Sequence, residues 1–233
     1  MGPPKRPVSR ELPSRDPFLI DVPADGSCLF WSTALAYLIP VKDDNDAFQQ
    51  RYTTLFEDEK FENCEDFRQL IDSCLLYNRI TSNEKVKGLI DKFRNKVADY
   101  ISSDAELRGA VNKDNILCLF DNQNRQEEII CETVERNLGL CSNGRDIKNR
   151  KAIIQELLNN KEKNEANNLV SRVYLECVRN NQFWGGELEI EAMSKMLKAE
   201  INVFGSTRSQ YPGGDIPIQL FHVSTIEGGE RNH

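Results

Sequence analysis

The sequence predicts an α+β protein in which helices and strands occupy different parts of the chain. Three observations carry that expectation. Residues 43–168 are polar and place their apolar side chains at helical spacing. Strand signals cluster at the two ends, in Phe18-Leu19-Ile20-Asp21-Val22 and between residues 201 and 223. At 233 residues the chain can close a full core, as one domain or as one domain with a large insertion.

Taken in order, residues 1–16 carry Pro3, Pro4, Pro7 and Pro13 among Lys5, Arg6, Arg10 and Arg15, the composition of a flexible leader. Residues 17–233 form the folded part. A short strand at 18–22 runs into Asp25-Gly26-Ser27-Cys28, and Trp31-Ser32-Thr33-Ala34-Leu35-Ala36-Tyr37-Leu38 reads as a buried helix that ends near Pro40. Phe67, Leu70, Ile71, Cys74 and Leu75 follow one helix face, and Leu89, Ile90, Phe93, Val97, Tyr100 and Ile101 a second. Ile129, Ile130, Thr133, Val134 and Leu138 mark a third face, and Ile153, Ile154, Leu157 and Leu158 a fourth. Gly88, Gly109, Gly139 and Gly144 read as breakers between them. Val170, Val173, Tyr174, Cys177 and Val178 form a further helix, and Phe183-Trp184-Gly185-Gly186 turns the chain. A helix through Ile190, Met193 and Leu197 leads to a strand at Ile201-Asn202-Val203-Phe204. Residues 205–214 are rich in turn formers, and residues 216–223 alternate with period two as a second strand.

Composition narrows the function. A net charge of −7 without a basic stripe argues against nucleic acid. No apolar run approaches the ~18 residues of a membrane span, and no apolar segment near the N-terminus suits a secretory signal. Arg6 stands where a myristoylation signal needs Ser or Thr. Seven cysteines without close pairing suit a reducing compartment, so the expected location is a cytosol. No CxxC pair exists, and two histidines far apart in sequence do not form a zinc site. Asp43-Asp44-Asn45-Asp46 lacks the glycine and terminal glutamate of a calcium loop and reads as a solvated loop. GxGxxG, P-loop and GxSxG patterns are absent. The expectation is therefore no metal and no cofactor.

The chemistry that remains is that of a thiol. Cys28 stands at a strand-to-helix junction, where unpaired backbone N–H groups and the positive end of the helix dipole favour a thiolate. Gly26 allows close approach of a substrate, and the N–H groups of Asp25, Gly26, Ser27 and Cys28 form a candidate oxyanion site. On local context Cys28 reads equally as a nucleophile or as a buried apolar residue. Cys64, Cys74, Cys118, Cys131, Cys141 and Cys177 read as core thiols. Of the two histidines, His222 shares a strand face with Ile218 and Leu220 and reads as a packed residue. His233 follows a loop carrying Gly228-Gly229; it is either a base reaching across a cleft or a frayed end.

Three blocks in order resemble the ovarian tumour (OTU) family of cysteine proteases, which are deubiquitinases. Asp25-Gly26-Ser27-Cys28-Leu29-Phe30 is similar to its nucleophile motif, with Ser27 where Asn is commoner. Tyr174-Leu175, Trp184-Gly185-Gly186, Glu189-Ile190, Ala192-Met193-Ser194 and Ile201-Asn202-Val203 resemble its second block. The strand at 218–223, a glycine-bearing loop and Asn232-His233 resemble its histidine block. The resemblance implies a papain-like fold with a small central sheet flanked by helices. It implies Cys28 as nucleophile, His233 as base and Asp25 as part of the loop shaping the oxyanion site. It also implies a narrow passage at Trp184, Gly185 and Gly186 that admits the C-terminal glycines of ubiquitin. The implied reaction is hydrolysis of the isopeptide bond after that glycine through a Cys-linked thioester, on ubiquitin or polyubiquitin chains, with no cofactor.

Two departures accompany it. The sequence ends at His233, before the position where the family pattern places an Asp or Asn that orients the imidazole, and Asp21 is the candidate substitute. Residues 43–168 exceed what compact members need and resemble the insertion of enlarged bacterial members. They either add a ubiquitin-binding surface or buttress the core. A eukaryotic regulator and an effector delivered to a host cytosol by an intracellular bacterium read alike, the insertion tilting toward the second. The competing functional readings are an inactive ubiquitin-binding module and a scaffold acting through the helical insertion.

Overall fold

The structure, a computed structural model, describes residues 20–23, 25–57, 61–80, 84–112, 126–140, 146–205 and 208–221. Helix α1 (Cys28–Leu38) is apolar on nearly every face and buries Phe30, Trp31, Ala34, Leu35, Tyr37 and Leu38. Pro40 cannot continue an α-helix, and the chain tightens into a 3₁₀ turn at Ile39–Val41. Arg51 Nη1 donates to the Tyr37 carbonyl at 2.7 Å, satisfying one of the acceptors that the end of α1 exposes.

Helix α2 (Asn45–Phe56) begins where a solvated loop was expected. Asp44 caps it, its carboxylate accepting the Ala47 N–H at 3.0 Å. Phe48, Tyr52, Leu55 and Phe56 line one buried face, at i, i+4, i+7 and i+8. Helices α3 (Phe61–Tyr77) and α4 (Glu84–Ser103) carry the two faces predicted for them. Rings knit the four together: Phe56 lies 5.2 Å from Phe67 of α3 and 6.3 Å from Phe93 of α4, and Phe93 meets Phe30 of α1 edge-on at 6.0 Å.

Gly88 and Gly109 are not breakers. They lie inside α4 and inside α5 (Ala105–Ala110), both exposed, so the absent side chain costs helix propensity but no packing. Gly139 behaves as expected, with φ +65° just after α6 (Gln126–Leu138). Gly144 lies outside the described residues. Helix α7 (Ile147–Asn159) packs on α6 through a buried two-pronged pair, Arg150 Nε and Nη2 each donating to a Glu135 carboxylate oxygen at 2.8 Å. Helices α8 (Lys163–Arg179) and α9 (Glu187–Leu197) are the last two among the described residues.

The sheet is small: β1 (Ala199–Phe204) lies between β2 (Arg208–Pro212) and β3 (Ile216–Phe221). β1 pairs antiparallel with β2 and parallel with β3, with Ile201 opposite Tyr211 on one side and Ile218 on the other. Strand β2 replaces part of the expected turn region. Reaching β3 from β2 takes the chain across the start of β1 in three residues, Gly213-Gly214-Asp215. A Cβ on Gly213 would overlap Ser194, and one on Gly214 would overlap the Lys198 carbonyl, so only glycine fits this crossing. The predicted second strand is seen as far as Phe221; His222 and Val223 lie outside the described residues.

The N-terminal strand is also revised. Asp21 forms one parallel bridge with Arg79, donating its N–H to Asn78 O at 2.9 Å and accepting that of Ile80 at 3.1 Å. Its segment therefore joins the α3–α4 connection and not the sheet. Helix α1 packs on β3, α9 covers β1 and β2, and α4 lies against α1, α2, α8 and α9. One continuous apolar core runs from Phe30 through Phe93 and Val173 to Ile201 and Leu220. Helices α2 to α4 are built into that core, and α6 and α7 extend it on the side of α8. The architecture is α+β, as the segregated pattern predicts. Among the described residues no helix is long and apolar enough to cross a membrane.

Candidate active site

Cys28 is the first residue of α1 and is half-buried. The loop before it is shaped by Asp25. One Asp25 carboxylate oxygen accepts the Ser27 N–H at 2.8 Å, an Asx-type turn, and the Asp25 carbonyl accepts the Cys28 N–H at 3.2 Å. Ser27, buried at the N-cap, gives its carbonyl to the Trp31 N–H at 3.0 Å and so starts the helix. Of the four predicted oxyanion donors, those of Ser27 and Cys28 thus already donate to Asp25.

The thiol is subject to opposing effects. Burial raises its pKa most; the Leu29 N–H at the helix start lowers it, the Asp25 carboxylate raises it, and the Arg94 guanidinium lowers it. The net direction is upward. Cys74 and Cys131 are pushed up to about 11 and Cys177 to about 12 by burial alone or chiefly so, which fits core thiols. Cys64 is likewise free and buried, while Cys118 and Cys141 lie outside the described residues.

The second block lies against this loop. A Cβ on Gly26 would overlap Asn181 O and the Gln182 backbone, so the nucleophile loop and the 180–183 turn are in backbone contact. A Cβ on Gly185 would lie 2.6 Å from Leu29 Cδ2 and 3.4 Å from Phe30 Cε2. Gly185 therefore packs against Leu29 and Phe30 in the first turn of α1, the helix that Cys28 begins. Trp184 beside it is half-buried. Gly186 starts α9, and its N–H donates at 2.6 Å to the buried Glu189 carboxylate, which also accepts the Tyr174 hydroxyl at 2.6 Å. Burial raises the Glu189 carboxyl above the ordinary range and the Tyr174 hydroxyl well above its own.

Sequence reasoning missed Arg94. It is fully buried in α4, and its four terminal N–H groups all reach carbonyl oxygens. Nη1 donates to Val178 O at 2.7 Å and to Asn180 O at 2.6 Å; Nη2 donates to Phe183 O at 2.7 Å and to Gly26 O. The guanidinium lies 4.3 Å from the centre of the Phe30 ring. Burial lowers its pKa to about 10, still cationic at neutral pH. The available signal was a cation within the apolar stripe Ile90, Val97 and Ile101.

The structure thus brings together Cys28 and the Asp25–Ser27 turn, and sets Gly185 against Leu29 and Phe30 of α1. It leaves Asp21 exposed at the α3–α4 connection. Both histidine assignments, His222 and His233, lie outside the described residues. Among the described residues no cluster of three His, Cys, Asp or Glu could hold a metal ion.

A family model described as OTU-like cysteine protease matches residues 23–222, from just before the cysteine loop to the end of the described sheet. No curated protein and no solved structure matches the chain. With a thiol at a helix N-terminus, Gly185 against the first turn of that helix and residues 23–222 matched, the chain belongs to the OTU-like cysteine protease family.

Proposed function

We propose that the protein is a deubiquitinase that hydrolyses the isopeptide bond after the C-terminal glycine of ubiquitin. The observation that carries this reading is Gly185 packing against Leu29 and Phe30 of α1, the helix that begins at Cys28. That contact sets the glycine stretch against the helix that carries the thiol, where the family resemblance puts the channel for an extended tail ending in glycines. Cys28 Sγ attacks the glycine carbonyl while His233 takes the thiol proton. The oxyanion is held by N–H groups of the Asp25–Cys28 loop, and that of Cys28 leaves its long 3.2 Å bond to the Asp25 carbonyl to reach it. Collapse of the intermediate expels the lysine amine, protonated by His233, and leaves a thioester. Water then attacks the thioester, giving the free carboxylate and the thiol. Residues 17–233 act as the protease domain in a cytosol, with ubiquitin or polyubiquitin chains as partners.

The test is reaction with ubiquitin bearing a thiol-reactive electrophile at its C-terminus. Wild type should gain the mass of one ubiquitin, and Cys28→Ala should gain nothing while still binding ubiquitin. Labelling that survives Cys28→Ala would sink the assignment. Binding by a folded wild type without labelling would favour an inactive ubiquitin-binding module.

A further inference from the structure

We propose that Arg94 is a positioning residue for the peptidase reaction, tying the nucleophile loop to the 178–183 segment and so setting where Cys28 meets the Gly185-Gly186 stretch. The inference rests on Cys28 being the nucleophile but not on the identity of the substrate. Three features support it. First, the bonds of one guanidinium join pieces of chain far apart in sequence: Gly26 before α1, Val178 and Asn180 at the end of α8, and Phe183 before the glycines. Second, the joint is tight, because Gly26 has no room for a side chain against Asn181 and Gln182. Third, Arg94 bonds to carbonyls, not to a carboxylate, so its charge is left to act on its surroundings.

The charged groups that bear on this pair come from several elements. Asp25 and Arg94 bear on Cys28 with opposite signs, and Glu189 of α9, Asp91 of α4 and Asp25 all bear on Arg94. A planar fork with donors on both terminal nitrogens suits four carbonyls at once. An ammonium has three donors on one atom and cannot reproduce it. Arg94→Lys therefore keeps the charge and loses the clamp.

The test is alkylation of Cys28 by iodoacetamide as a function of pH, read by mass spectrometry of the Cys28 peptide. It compares folded wild type, Arg94→Lys, Arg94→Gln and Arg150→Met, the last removing another buried arginine from the α6–α7 pair. Arg94→Gln should raise the midpoint by about one pH unit, hence react about tenfold more slowly near neutrality, and Arg94→Lys, which keeps the cation and loses the clamp, should move it away from the wild-type value. Arg150→Met should keep the wild-type midpoint. A wild-type midpoint in Arg94→Lys would overturn the proposal, since charge alone would then suffice. If neither Arg94 variant folds, Gly26→Ala opens the same joint with Arg94 in place, and an unmoved midpoint there overturns it equally. Alkylation needs no ubiquitin, so a wild type that alkylates at Cys28 yet ignores the ubiquitin probe refutes the substrate and not the clamp.

Discussion

Replacing Gly26 by alanine adds a single methyl where two backbones meet. The new carbon would lie 2.7 Å from Gln182 Cα and closer still to Asn181 O and Gln182 C. Carbon atoms prefer separations of roughly 3.5–4.0 Å, so the loops must part by about 1 Å. Neither can yield by rotating a side chain, because the obstructing atoms are main chain and Arg94 binds carbonyls on both sides of the joint. Overpacking of this kind costs about 1–3 kcal/mol. For a chain of this size each kcal/mol moves the melting temperature by roughly 2–4 °C, so Gly26→Ala should melt about 2–12 °C lower. A shift of about 1 Å at a reacting group can cost about 10²-fold in rate. Thermal melting by circular dichroism and turnover of a fluorogenic ubiquitin conjugate would read the two effects. Gly88→Ala is the matched control: nothing lies within 4 Å of its Cβ position in α4. It should gain about 0.5–1 kcal/mol and keep wild-type turnover. A Gly26→Ala protein that melts and turns over like wild type would refute the backbone-contact account of the site.

Glu189 gives a pH-dependent prediction. Burial raises its folded pKa, so the folded state holds the proton more tightly than the unfolded chain. Its contribution is therefore fully present below the unfolded value, about 4.3, and is lost as pH rises through the folded value. In urea unfolding from pH 4 to 8, the stability of wild type relative to Glu189→Gln should fall with increasing pH; a constant difference would show that Glu189 does not titrate as described. For the buried pair of α6 and α7, Arg150→Met alone should cost about 3–5 kcal/mol by stranding Glu135, while Arg150→Met with Glu135→Leu should be near neutral. Equal losses in the single and double variants, measured by the same unfolding, would contradict that.

Much of the helical architecture was legible because burial imposes a 3.6-residue period on any helix packed along one side. Ile90, Phe93, Val97 and Ile101 announce α4 for that reason, and all four are buried. Gly88 and Gly109 misled because a glycine facing solvent only weakens a helix that packing already holds. Asp44 was hidden among acids that suggest a solvated loop, although an Asp before a periodic stretch is also a cap. Strand β2 was missed because Arg208, Gln210 and Pro212 are exposed and the strand pairs on one side only. The place of Cys28 at the start of α1 was legible because its motif is local. Arg94 was not, since its meaning lies in carbonyls contributed by distant segments, and no periodicity encodes where a main-chain oxygen will point.

The balance at Cys28 corrects a simpler expectation. A helix N-terminus alone would lower the thiol pKa, and the Leu29 N–H does act that way. Burial outweighs it, and the Asp25 carboxylate that builds the turn works against a thiolate as well. The loop therefore trades acidity for geometry: Asp25 holds Ser27 and Cys28 in place at some expense to ionisation. Arg94 offsets part of that loss, because its cation favours the thiolate and its hydrogen bonds fix the loop at Gly26. What remains must come from a base that removes the proton as attack proceeds, the part His233 plays in the proposed reaction. In that reaction a raised thiol pKa keeps Cys28 protonated until substrate and base are both in place. In the proposed reaction, clamping from α4 belongs to the mechanism as well as to the fold, because a thiol held in place meets the base in the reactive geometry more often.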